Sequence, residues 1–82
     1  MRLIIYSRPG CHLCDEMKAV VERVLANRKG SPDVTIEIVD VSASAELEAL
    51  YGLEIPVLMI DGKKAAKFRI AEGDLVRRLT SR

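Results

Sequence analysis

The sequence predicts one α/β domain, a mixed four-stranded sheet with flanking helices in the order β-α-β-α-β-β-α. Three observations lead there. Short apolar runs of strand length alternate with stretches whose apolar residues recur at helical spacing. An Asp61-Gly62 pair, a strong hairpin signal, joins the last two strands. The chain's 82 residues leave room for one core and no second.

Leu3 to Tyr6 is a continuous apolar run, as expected of a strand covered on both faces, and Ser7-Arg8-Pro9-Gly10 breaks it as a turn. From Cys11 to about Arg28 the apolar positions Leu13, Met17, Val20, Val21, Val24 and Leu25 mark a helix, with Asp15, Lys18 and Glu22 on its other side. Asp15 and Glu16 suit its positive end and Arg28-Lys29 its negative end, before Gly30 and Pro32 stop it. Val34 to Val41 alternates, with Val34, Ile36 and Ile38 on one face and Thr35 and Glu37 on the other. Ser44 caps a short helix over Ala45 to Tyr51, which Gly52 closes. Pro56 precedes the apolar run Val57 to Ile60, and the hairpin leads into a last strand from about Lys64 to Arg69. Leu75, Val76 and Leu79 form a closing amphipathic helix. The first βαβ unit is expected to be parallel and the hairpin antiparallel, so sites should form beyond the carboxyl ends of the parallel strands.

Composition narrows the function classes. About half the residues are apolar and the formal charge is +1, which gives no reason to expect nucleic acid or an anionic membrane as partner. No apolar run approaches the roughly 20 residues of a membrane span, and the run after Arg2 is too short for a signal peptide. A cytoplasmic monomer is the expectation. In a reducing compartment, two lone cysteines point to catalysis or metal binding before a structural staple.

Those cysteines, Cys11 and Cys14, are the only two, and they stand three apart after the first strand and at the start of the first helix. Random placement in a chain this long would give that spacing about one time in forty. Two sulfurs so spaced can close a disulfide across one turn, and a thiol at a helix N-terminus is favoured as its anion by unpaired backbone N–H groups. The pair reads as redox chemistry.

Tyr6-Ser7-Arg8-Pro9-Gly10-Cys11-His12-Leu13-Cys14, followed some forty residues later by Ile55-Pro56-Val57, resembles the glutaredoxin-like branch of the thioredoxin superfamily. The resemblance implies a thioredoxin-like fold, with Cys11 as attacking thiol, Cys14 as resolving thiol and a cis peptide bond at Ile55-Pro56. It also implies a glutathione or substrate contact at Arg8, where the family often has lysine, and another at Asp74, near an acidic position that meets the glutathione amine. The backbone of Ile55 before Pro56 would pair with an extended substrate. Two positions differ from the family pattern: His12-Leu13 replaces the usual proline and aromatic, and Ala71-Glu72-Gly73-Asp74 offers one glycine where the family shows a pair.

The expected activity is thiol-disulfide exchange on protein or low-molecular-weight disulfides, with no tightly bound cofactor and no resident metal. Glutathione or a thioredoxin-reductase-type donor would supply electrons. His12 is read three ways: as a solvated residue, as a cation that favours the thiolate, or as a metal ligand that would need further ligands. Leu13, Met17 and Met59 read as core. Lys63, Lys64, Lys67, Arg69, Arg77 and Arg78 read as a solvated edge before an anion site. The rival functions are a metal or Fe–S carrier using Cys11 with glutathione or a second chain, and a redox-inert interaction module.

Overall fold

A computed structural model describes residues 1–27 and 34–80. The elements are β1 (Arg2–Ser7), α1 (His12–Ala26), β2 (Thr35–Asp40), α2 (Ala45–Tyr51), β3 (Val57–Ile60), β4 (Lys63–Lys67) and α3 (Glu72–Thr80), with a 3-10 turn at Val41–Ala43. The sheet order is β2-β1-β3-β4, with β1 parallel to β2 and the other two pairings antiparallel. Each link follows from its connection. A parallel pair needs a crossover, and α1 provides it. A two-residue hairpin needs left-handed backbone at both central residues, and Asp61 (φ 49°) and Gly62 (φ 84°) supply it. Asp61 also locks the hairpin to the sheet, because its amide donates to the Arg2 carbonyl at 2.9 Å and its Oδ1 accepts from the Arg2 amide at 2.8 Å.

The core forms on one face of the sheet. Leu3 and Ile5 of β1 and Leu58 of β3 pack beneath Met17, Val21 and Val24 of α1 and Leu75 and Leu79 of α3, all buried. Burial of such side chains contributes about 1.5–3 kcal/mol each, so this cluster is the main source of cohesion. On the opposite face Tyr6 stacks on Tyr51 of α2, with ring centroids 4.3 Å apart and planes inclined by 11°. Aromatic contact thus fixes α2 against the end of β1 that leads to the cysteines.

Several expectations shift. Helix α1 begins at His12, with Cys11 outside it as the N-cap. The expected basic end at Arg28-Lys29 and the stops at Gly30 and Pro32 lie outside the described residues. Ile36 and Ile38 share a face with Leu3 and Ile5 by register, yet they are 37% and 44% exposed. The alternation is present in the strand; the coverage is partial because β2 is an edge strand and the core gathers over β1 and β3. Val41 leaves β2 to open the 3-10 turn, and β4 ends at Lys67 because Phe68 turns into left-handed backbone at φ 69°. Leu13 and Met59 are half-buried at the margin of the core, while Met17 lies within it.

Candidate active site

Past Ser7 the chain turns through Arg8-Pro9-Gly10-Cys11. The Cys11 amide donates to the Arg8 carbonyl at 3.3 Å, and Gly10 has φ 80°. Proline second and left-handed glycine third is the pattern of a type II turn. The turn delivers Cys11 to the N-cap of α1 in extended backbone (φ −90°, ψ 112°). There its Sγ accepts from the amide of Cys14 at 3.2 Å, doing what a serine or aspartate oxygen does at other caps. The two sulfurs are bonded and their Cα atoms stand 5.2 Å apart, a normal separation for a disulfide. Cys11 is half-buried, whereas Cys14 is 5% exposed. The outer sulfur is the more accessible of the two.

Pro56 stands at the same end of the sheet, since Val57 lies opposite Tyr6. The Ile55–Pro56 peptide is cis, and Pro56 is fully buried. Its carbonyl accepts from the amide of Phe68 at 2.8 Å. Half-buried Ile55, just before it, makes no hydrogen bond among the described residues.

Arg8 reaches across to α2 and pairs with Glu48, both side chains about 40% exposed. It also faces Asp40, which ends β2 beside Ser7. The Ser42 hydroxyl and amide, at 2.6 and 2.8 Å, hold the Asp40 carboxyl below the usual carboxylate range, with Arg8 adding a smaller pull. Arg8, Asp15, Lys18, Ile38 and Asp40 line a concavity of about 290 Å³ that reaches Cys14. His12 is exposed at the first position of α1.

Asp74 stands elsewhere. It pairs with Arg77 one turn along α3 and lines an open groove of about 820 Å³ with Lys63, Arg69 and Arg78 over a floor of Ile60 and Ala66. Neither cysteine lines that groove. Five of the six cations flagged in the sequence border it; Lys67 does not, and instead shares Glu54 with Lys64. That sharing, with the hydrogen bond from Lys64 foremost, keeps the Glu54 carboxyl below its ordinary value. Among the described residues, no three His, Cys, Asp or Glu side chains converge to hold a metal ion. Likewise, no described helix is long and apolar enough to cross a membrane.

The structure therefore gathers Arg8, Cys11, Cys14 and the Ile55–Pro56 segment at one end of the sheet and places Asp74 in a separate groove. Sequence reasoning missed Glu48, Asp40, Ser42 and Phe68. Glu48 and Asp40 meet Arg8 only through the fold, so no local pattern could reveal them. Phe68 falls inside the strand that the sequence predicts, so its turn carries no local signal.

A four-stranded mixed sheet, helices on both faces and a cysteine pair at the start of α1 define a glutaredoxin-like protein of the thioredoxin superfamily. The family described as Glutaredoxin-like domain (DUF836) matches residues 2–80, and the chain belongs to it. Among solved structures, target protein XcR50 from X. campestris is similar at 27% identity and a TM-score of 0.79, covering 98% of this chain and 97% of that one. Protein Ne2328 from Nitrosomonas europaea is similar at 24% identity and a TM-score of 0.76, covering 94% and 88%. E. coli glutaredoxin shares the fold at 20% identity and a TM-score of 0.64, each chain covered in full at 100%. No curated protein matches the chain.

Proposed function

We propose that the protein is a single-domain thiol-disulfide oxidoreductase working through a Cys11–Cys14 dithiol cycle. One observation carries this reading: Cys11 caps α1 half-exposed, with Cys14 directly behind it and nearly sealed from solvent. In the reduced protein the Cys11 thiolate attacks one sulfur of a substrate disulfide. A mixed disulfide forms and the other substrate sulfur leaves as a thiolate. Cys14 then gives up its proton and attacks the Cys11 sulfur, releasing the second substrate thiol. Two electrons have passed to the substrate, and the protein holds the Cys11–Cys14 disulfide. Two external thiols return it to the dithiol and leave as a disulfide of their own.

The other groups have supporting roles. The unpartnered backbone of Ile55 is placed to pair with an extended substrate, as an added strand would. Arg8, at the mouth of the Cys14 concavity, offers a carboxylate contact once it turns from Glu48. His12 adds positive charge beside Cys11 when protonated. The working setting is cytoplasmic and the working unit a monomer, with electrons drawn from glutathione or from a thioredoxin-reductase-type donor.

A coupled assay tests the proposal. The protein is supplied with an insulin or mixed-disulfide substrate and either glutathione with glutathione reductase, or NADPH with thioredoxin reductase. NADPH consumption that depends on Cys11 is the expected result and names the donor. No turnover with either system refutes the enzyme.

A further inference from the structure

Phe68 is the chain's one phenylalanine, and it sits in backbone that a bulky residue rarely adopts, at φ 69°. Glycine would take that conformation without steric cost. Core packing does not account for the strain, since Phe68 is 42% exposed and lies outside the core cluster. Ending β4 is no reason either, since the turn is made by backbone alone. What Phe68 does have is position. Its amide is bonded to the carbonyl of Pro56 at 2.8 Å, so its backbone stands beside the segment that is to receive substrate, and its side chain is partly open to solvent. Lys67 lies 5.7 Å from the ring centroid, and Leu53, two residues before Ile55, is 95% exposed. Exposed apolar residues therefore stand on two sides of Ile55–Pro56: Leu53 before it along the chain and Phe68 across the β3–β4 pairing.

We infer that Phe68 is a specificity residue: it receives an apolar side chain next to the cysteine of a disulfide-bearing polypeptide. This rests on the oxidoreductase reading and names its substrate class. The charges favour the same class over a small acidic thiol. Arg8 is engaged by Glu48, and Asp74 by Arg77 in another groove, so these two are not presented together beside Cys11. The ring acts on binding alone. The exchange it assists is the one written above, in which two electrons pass from the Cys11 and Cys14 thiols to the substrate disulfide.

Single-turnover kinetics test this without any electron donor. Pre-reduced protein is mixed with the disulfide dimer of acetyl-Leu-Cys-Leu-amide, with that of acetyl-Ser-Cys-Ser-amide, or with 2-hydroxyethyl disulfide. Intrinsic thiol differences between the peptides cancel when their rate ratio is compared between proteins. Burial of a leucine against the ring predicts a ratio about tenfold higher in the parent than in Phe68→Ala. Phe68→Leu should fall between them, and 2-hydroxyethyl disulfide should react at the same rate in all three to within about twofold. An unchanged ratio in Phe68→Ala overturns the assignment, as does an equal loss on all three substrates. A parent that reduces none of them overturns the oxidoreductase reading itself, and the assignment with it.

Discussion

The amide of Cys14 points at the sulfur of Cys11, 3.2 Å away, across the first turn of α1. In the reduced protein this donor, together with the N-terminal end of the helix, favours a negative charge on the outer sulfur. Alkylation followed against pH should label Cys11 before Cys14, with a rate inflection below the ~8.5 of an ordinary thiol. Faster labelling of Cys14 would exchange their roles.

Removing the inner sulfur should stall the cycle halfway. With Cys14→Ser, the adduct on Cys11 can leave only through an external thiol, so mass spectrometry should find a stable mixed disulfide after exposure to a disulfide substrate. Turnover of a protein disulfide at the parent's rate would show that one cysteine suffices.

Gly52 matters through space rather than through backbone freedom. A Cβ placed there would lie 2.5 Å from the Glu48 carbonyl oxygen and 2.5 Å from its carboxylate, the group that holds Arg8. Alanine gains about 0.4–1 kcal/mol by restricting the unfolded chain, whereas overpacking costs about 1–3 kcal/mol. The clash wins because one of its partners is backbone. Gly52→Ala should lower stability by about 1–2 kcal/mol in a urea melt, and a variant as stable as the parent would show that the α2 terminus shifts freely.

Asp40 predicts a pH signature. Its carboxyl titrates below the ordinary range because the ionised form accepts from Ser42. Its contribution to stability is therefore complete above the unfolded value of about 3.9 and disappears as pH falls through the lower folded value. Asp40→Asn should be less stable than the parent at neutral pH, and the gap should close in acid. A gap that stays constant from neutral pH to pH ~2 would contradict this.

Phe68→Gly should change stability by no more than about 1 kcal/mol. Relief of left-handed strain is worth about 1–2 kcal/mol, offset by about 0.5–1 kcal/mol for the added freedom of an unfolded glycine and about 1 kcal/mol for the covered part of the ring. A urea midpoint well below the parent's would mean that the ring packs more than its exposure shows.

Most of the fold was legible because its signals are local. The Val34–Ile38 alternation, the helical spacing behind Cys11 and the Asp61-Gly62 turn each specify their element, and the chain order then leaves few topologies. The cysteine pair was legible for the same reason. Contacts that join distant segments were not. Nothing near Arg8 announces Glu48, forty residues on, and nothing near Asp74 announces that its groove excludes the cysteines. Ile36 and Ile38 illustrate the limit, since a period of two gives the face but not whether a helix lies over it. Phe68 ends its strand early through a backbone angle that its residue type does not advertise.

Cys11 and Cys14 are only three residues apart, inside one turn already fixed by the type II turn before it and the helix after it. A link that closes so short a loop removes little freedom from the unfolded chain compared with one joining distant segments. In the proposed cycle, oxidation and reduction would therefore change who holds the electrons while asking little of the architecture. The charge carrier and its chassis would be nearly independent, so that the same surface could meet a disulfide in one encounter and a donor in the next.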